Sequence, residues 1–542
     1  MHKPLLILPT VAIALATMLP GASANPPSPS SSRPAATIPI TGDAVPGLES
    51  YDQEITGLLA RWGIRGAAVA VAKDGRLVYA RGFGYADEAS GRVVQPDSLF
   101  RVASLSKPVT AIAVMKLVQD GRLDLDAKVF TLLSDITPPA GSNVDPRLAS
   151  ITVRELLEHS GGWDRALAFD PMFIPWVAAD AVGDPRPAGP RTIIKYMYGE
   201  PLQFDPGSSY AYSNYGYCLL GRVVEKITGQ RYEDYVRNEL LAPLGITRMI
   251  CGRTRVSERA TGEVTYYEQP DEGLATSVFP DVTQPVPWPD GGFYIEAMDS
   301  HGAWVASPID YVRLILSADG RSAPPDFLTG ASIAEMTARP DNPAWNGSDT
   351  WYAKGWLVRP VDNDANWWHT GALSGTSTIV VRNYNGYTWA AFYNGQPWND
   401  QFFYEYDVAM WNAFFQVTQW PDGDQFSRYI PFEGPATEPP TARVVSPNGR
   451  EKFKAGTTIN ISWEAADDRQ VLHQALYLST DGGATFPVIV APDVDATARA
   501  FSYTIPATLK TKTARIKVVA VDPDGNEAAD ASDANFKIKK AR

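Results

Sequence analysis

The chain has 542 residues, too many for one ordinary domain and enough for a large core with an accessory domain. Hydrophobic residues make up 44% and charged residues 20%, the composition of a globular chain rather than a disordered one. A formal net charge of -13 with no basic block argues against a nucleic-acid partner, because phosphate contacts need clustered Lys and Arg.

Met1 to Ala24 has the pattern of a cleavable signal peptide, with Lys3 ahead of an apolar stretch from Leu5 to Leu19 and an Ala22-Ser23-Ala24 cleavage site. Pro9 interrupts that stretch, which is short for a membrane anchor, and no later run reaches the roughly 18 apolar residues of a spanning helix. The mature protein is therefore expected to be secreted or periplasmic, with no transmembrane segment. Residues 25–47 open on a Pro- and Ser-dense stretch and read as a linker, with order beginning near Leu48. Helical periodicity follows over Tyr51 to Trp62. Two strands, Ala67 to Ala72 and Leu77 to Tyr85, flank the turn Lys73-Asp74-Gly75.

Ser104 to Gln119 carries Val109, Ile112, Ala113 and Leu117 at helical spacing. Pro108 is tolerable only in a first turn, which puts Ser104 at or near the N-terminus, and Gly121 supplies the stop. Val153 to Glu158, Cys218 to Thr228 and Tyr232 to Leu241 read as further helices. From Trp351 to Asn394 short strand runs take over, including Thr378 to Arg382 and Thr388 to Tyr393 around the turn Asn385-Gly386. Strands at both ends with helices between them make an α+β domain over residues 48–431, whose terminal segments share one antiparallel sheet. Export permits a disulfide between Cys218 and Cys251; two buried thiols are the plainer reading.

Residues 432–441, with Gly434, Pro435, Pro439 and Pro440, read as an interdomain linker. Beyond it, over 442–542, helical periodicity vanishes. Thr458 to Trp463, Ala475 to Leu478, Phe501 to Ile505 and Ala514 to Val521 alternate as strands, with turns at Asp481-Gly482-Gly483 and Asp522-Pro523-Asp524-Gly525. Short strands at this spacing suggest a β-sandwich.

Three motifs carry candidate chemistry, in the order Ser104-Leu105-Ser106-Lys107, Tyr212-Ser213-Asn214 and His369-Thr370-Gly371. A neutral serine hydroxyl needs a base beside it, and residues i and i+3 share a helix face, so Lys107 can reach Ser104. Tyr212 and Asn214 sit on a loop feeding a helix. A phenolate base at Tyr212 would need its pKa lowered by about three units, roughly 4 kcal/mol, which a neighbouring lysine ammonium could supply in a coupled pair. Asn214 can donate and accept, which suits holding a substrate carbonyl. Gly371, where the last strand run begins, lets a ligand approach closely, and the N–H groups of Ala372 and Ser104 could form an oxyanion hole. His159-Ser160-Gly161 also fits H-x-G but reads as the close of a turn. There is no G-x-S-x-G elbow, H-E-x-x-H, Walker or Rossmann motif, and the five histidines are scattered, so neither a metal nor a cofactor is expected.

These motifs together resemble the serine β-lactamase and penicillin-binding-protein superfamily, in its class C-related branch of family VIII esterases, DD-carboxypeptidases and D-aminopeptidases. Leu156 to Gly162, Pro243-Leu244-Gly245, Gly291-Gly292 and Gly355-Trp356 extend the likeness over Leu48 to Gln416. The resemblance implies an antiparallel sheet with flanking helices and an all-helical subdomain. It makes Ser104 the acylated nucleophile and Lys107 and Tyr212 the general base and acid. Asn214 would orient substrate, His369 and Gly371 would border the acyl pocket, and Ala372 would give the second oxyanion donor. Histidine where relatives place a lysine cation weakens the case for penicillins and D-Ala-terminated peptides and favours esters or other amides. A DD-carboxypeptidase or β-lactamase, or a non-catalytic binding protein on the same fold, are the alternatives. The last hundred residues resemble the immunoglobulin-like modules of secreted bacterial enzymes, through Ser446 to Gly449, Ser479 to Gly483 and a core Trp463, which raises cell-wall association as a partner.

Overall fold

The computed structural model describes residues 38–321, 324–429, 440–466, 471, 473–494, 498–521 and 526–540. The signal pattern, most of the first linker, the second linker up to Pro439 and the turn at 522–525 lie outside them. The chain divides into two units, Met1–Asp422 and Gly423–Arg542.

The first unit is built on an antiparallel sheet in the order β1-β3-β2-β8-β7-β6-β5-β4. Here β1 is Ile40–Thr41, β2 Gly66–Lys73, β3 Arg76–Asp87, β4 Trp351–Tyr352, β5 Leu357–Val361, β6 Asp364–Leu373, β7 Thr376–Arg382 and β8 Tyr387–Tyr393. The early strand β2 pairs with the late strand β8, Ala70 opposite Ala390, so the two ends of the unit close one sheet as the pattern predicts. β2, β7 and β8 are buried along nearly their whole length, which fits their run of small, β-branched and aromatic residues. Order begins ahead of Leu48: Ile40 and Thr41 pair with Phe83 and Gly82. Two residues are too few to show a strand period.

Helices cover the two faces. α1 (Glu49–Trp62) and α5 (Asp400–Gln416) pack together, and Tyr51, Ile55, Val69, Trp389, Phe402 and Met410 share their core with the sheet. α4 (Pro308–Leu316) packs against β2 and β8. Between β3 and β4 the chain forms the helical block, with α2 (Ser106–Gln119) packed on α3 (Asn214–Thr228). A small sheet of Phe100–Arg101, Trp304–Ala306 and Ile250–Cys251 is added to it.

α3 starts at Asn214, not Cys218, because Ser213 caps it by accepting from the Gly216 amide at 3.1 Å. The stretch expected as one helix to Leu241 is α-helical only over Tyr232–Val236 and continues as a π turn, Arg237–Leu241. Cys218 and Cys251 are buried free thiols, and burial pushes the Cys218 thiol up to about 12.

Among its described residues the second unit has two sheets. β9 (Thr441–Ser446), β11 (Thr458–Ala466) and β14 (Ala500–Thr504) form one in the order β9-β11-β14. The other runs β10 (Lys452–Lys454), β17 (Phe536–Lys539), β15 (Thr511–Val521), β12 (His473–Ser479), β13 (Val488–Val494), with β16 (Glu527–Ala531) also on β15. Ile461, Trp463, Leu476, Ile516, Val518 and Phe536 share one core, the arrangement of a β-sandwich. Among the described residues no helix is long and apolar enough to cross a membrane.

Candidate active site

Ser104 lies in a tight 3₁₀ turn, Ala103–Leu105, that runs directly into α2. The turn is tied down on both sides: Val102 donates its amide to the Trp304 carbonyl at 2.8 Å, and Tyr311 donates its hydroxyl to the Leu105 carbonyl at 2.6 Å. Ala103 has φ 49°, a left-handed conformation that a side chain adopts at some cost. From Ser98 to Met115, Ser104 is the one residue that is not buried. The chain thus holds one hydroxyl at the surface of an otherwise closed core.

Lys107 is fully buried one turn further on. Its Nζ sits 3.2 Å from Ser104 Oγ, 2.7 Å from Asn214 Oδ1 and 3.1 Å from the His301 carbonyl. Burial, reinforced by the Arg165 charge and opposed by Asp170, holds its pKa well below the ordinary lysine range. A neutral amine has two N–H donors and one lone pair. Asn214 Oδ1 and the His301 carbonyl can only accept, so they take both N–H groups, and the lone pair is left facing the Ser104 hydroxyl. That is the arrangement of a general base beside its nucleophile.

Tyr212 completes the trio. Its ring lies 4.6 Å from Lys107 Nζ and 4.9 Å from the Arg165 guanidinium. Burial raises its pKa well above the tyrosine range, and hydrogen bonding with Ser104 and the Arg165 charge offset only part of that. The desolvation that lowers the Lys107 pKa raises that of Tyr212, so burial works against the phenolate that a neighbouring ammonium would favour. These shifts suit the lysine to accept a proton and the phenol to donate one.

Asn214, the first residue of α3, is committed at both ends: Oδ1 accepts from Lys107 and Nδ2 donates to Asp170 Oδ2 at 2.6 Å. His369 lies near the end of β6 and points into a buried aromatic cluster. Its Nδ1 donates to the Thr370 carbonyl at 2.7 Å, which leaves Nε2 to accept from the Tyr352 hydroxyl at 3.1 Å. Burial above all pushes its pKa down to about 3, so it offers no cation at neutral pH. Gly371 meets the nucleophile turn edge-on: a Cβ there would lie 2.4 Å from the Val102 carbonyl oxygen and 3.1 Å from the Ser104 amide nitrogen. Ala372 follows it, paired with Ser377 and only partly buried.

Three residues of the site escaped the sequence reading. His159 does close a turn, with φ 56°, but its Nδ1 also accepts the Ser213 amide at 3.1 Å and its ring packs 4.4 Å from Tyr212. Arg165 and Asp170 come from the irregular stretch after Gly162, where no periodicity marks them. Arg165 Nη1 lies 3.7 Å from Asp170 Oδ2. Among the described residues no His, Cys, Asp and Glu side chains cluster as metal ligands.

The β-lactamase family model matches residues 51–410. The chain belongs to the β-lactamase family. Among curated relatives, penicillin-binding protein 4* of Bacillus subtilis is 27% identical over 58% of this chain and 64% of that protein. Esterase EstB of Burkholderia gladioli is 35% identical over 33% of this chain and 45% of its own length. Both matches thus cover less than two thirds of the relative. Of solved structures, the octameric penicillin-binding protein homologue of Pyrococcus abyssi superposes with a TM-score of 0.53 over 89% of this chain and 95% of that one, at 20% identity, which supports a shared fold. The β-lactamase match begins within α1, takes in strands β2 to β8 and all three motifs, and ends within α5.

Proposed function

We propose that this β-lactamase family member is an exported active-site serine hydrolase that cleaves ester or amide bonds through an acyl-enzyme at Ser104. The hydrogen-bond arithmetic around Lys107 carries the reading. In the first half-reaction the Ser104 hydroxyl passes its proton to the Lys107 lone pair as Oγ bonds to the substrate carbonyl carbon. The carbonyl π electrons move onto oxygen, and the Ser104 and Ala372 N–H groups stabilise that oxyanion. Each such donor is typically worth about 3–4 kcal/mol. As the oxyanion collapses, the bond to the leaving group breaks and Tyr212 gives that group a proton. The transient phenolate lies beside two cations, Lys107 and Arg165, and recovers its proton from the lysine. Water then replaces the leaving group and the steps run again to release the acid.

The neutral, inward-turned His369 favours esters and neutral amides over substrates that need a cation for a terminal carboxylate. The name of the B. subtilis relative supports the second reading, a DD-carboxypeptidase or β-lactamase acting on wall peptides or β-lactams. The pattern of Met1 to Ala24 supports export, and the C-terminal sandwich, read as an immunoglobulin-like module, supports a role in holding the enzyme at the cell wall. The test is p-nitrophenyl butyrate hydrolysis by the wild type and Ser104→Ala, beside a chromogenic cephalosporin. Ester turnover lost in the variant establishes Ser104. Cephalosporin turnover exceeding it would shift the substrate to the second reading. No turnover of either, with no labelling of Ser104 by a fluorophosphonate, would leave a binding protein.

A further inference from the structure

We propose that Asp170 is a positioning residue for the general base: it holds the Asn214 carboxamide in the one orientation that leaves the Lys107 lone pair aimed at Ser104. The proposal rests on the reading of Ser104 as the acylated nucleophile.

An amide group can turn over and exchange its oxygen and nitrogen. At Asn214 the exchange would be ruinous. Nδ2 would then face Lys107 and offer it a proton, and the lysine lone pair would be drawn away from Ser104. Lys107 and the His301 carbonyl cannot prevent this, because a neutral amine both donates and accepts. Asp170 can. Its Oδ2 only accepts, so the group facing it at 2.6 Å must be Nδ2, and Oδ1 must face Lys107 at 2.7 Å. The other oxygen, Oδ1, accepts the Met172 amide at 3.1 Å and caps the 3₁₀ turn Pro171–Phe173. Asp170 thus uses one oxygen to fix itself to the chain and the other to fix Asn214. Its side chain is only 10% exposed, so water competes weakly for either bond.

The competing explanation is that Asp170 merely caps the turn. Asp170→Asn separates the two, because Asn caps as well as Asp. An amide has one oxygen for the two N–H donors that Asp170 now serves, so capping survives and the hold on Asn214 is lost. We expect kcat on p-nitrophenyl butyrate to fall about 10- to 100-fold with KM within about threefold, the scale of a misplaced general base. Asp170→Ser also caps but cannot reach Asn214, and the same losses are expected from it. Asp170→Asn should melt within about 3 °C of wild type, as a surviving cap requires.

A second readout is the pH profile. The groups facing Lys107 are Asp170, Arg165, Tyr212, Tyr217, His159, His301 and His369. Burial holds all three histidines well below their usual range and both phenols above theirs, so the acid limb of kcat/KM belongs to Lys107. Asp170 holds that lysine up and Arg165 pushes it down. Asp170→Asn therefore moves the acid limb to lower pH, and Arg165→Gln moves it to higher pH. A kcat within twofold of wild type in both Asp170 variants overturns the proposal. So does a loss of kcat with the acid limb unmoved, or one that tracks a drop in melting temperature. Labelling of Ser104 by a fluorophosphonate, followed by intact mass, keeps the two readings apart. Wild type that labels at the same rate and pH dependence as Asp170→Asn overturns this inference alone; wild type that does not label at Ser104 overturns the nucleophile itself.

Discussion

The two protonatable groups beside Ser104 obey one physical cause with opposite results. Burial disfavours the charged form of each, so Lys107 gives up its proton more readily and Tyr212 holds its own more firmly. Tyr212→Phe should therefore lower kcat by about 10²–10³, the worth of a general acid, and leave the acid limb in place. Because the phenol stays protonated, wild-type activity should hold through about pH 9, where an ordinary tyrosine has begun to ionise. A decline that sets in near neutral pH would mean a phenolate base after all. Gly371 makes an independent case. A methyl group there would also meet Thr378 Oγ1 at 2.3 Å, with strands β6 and β7 leaving nothing free to retreat. Gly371→Ala should cost at least about 100-fold in kcat, the value of one oxyanion donor, because it pushes the Ser104 turn away from β6. Unchanged kinetics in that variant would remove the strand edge from the oxyanion site.

At the scale of elements, α5 holds a buried acid with a measurable signature. Asp407 is buried in α5, and burial raises its pKa to about 7, with Trp411 and Arg359 offsetting only part. The folded protein keeps a proton there that the unfolded chain releases above about pH 4. Stability attributable to Asp407 is therefore greatest below pH 4, falls as pH rises to 7, and stays low above it, a difference on the order of 4 kcal/mol. Asp407→Asn should raise the melting temperature by a few degrees at pH 8 and by much less at pH 5. Equal shifts at both pH values would mean that the acid is charged in the fold. The motifs and the closed sheet were legible in the sequence because each depends on short spacing or on a strand period. α5 was not, because Phe403, Trp411 and Phe414 widen its apolar face until no stripe stands out. Arg165 and Asp170 were not, because they reach the site from a loop whose path only tertiary packing decides. The direction of the Tyr212 shift was not legible for a third reason: the sign of a pKa shift depends on burial, and burial is not written in a motif.

For the whole molecule, the two units each have their own core, and every residue of the site belongs to the first. Trp463 anchors the second: it is 2% exposed, and its Nε1 donates to Gln474 Oε1 at 2.6 Å. Replacing a buried tryptophan with alanine costs about 3–5 kcal/mol through lost contacts and the cavity left behind, and here it also removes a buried hydrogen bond to Gln474. If the cores melt separately, calorimetry of the full chain should resolve two transitions, since two-state behaviour holds for a domain rather than a chain. Trp463→Ala should then lower one of them by more than about 10 °C, given the small unfolding entropy of a domain near 100 residues, and leave the other where it was. Hydrolysis of p-nitrophenyl butyrate should follow the unmoved transition, surviving to the same temperature in the variant as in the wild type. If both transitions fall together, or if activity is lost with the lower one, the cores depend on each other and the second unit takes part in keeping the Ser104 site assembled.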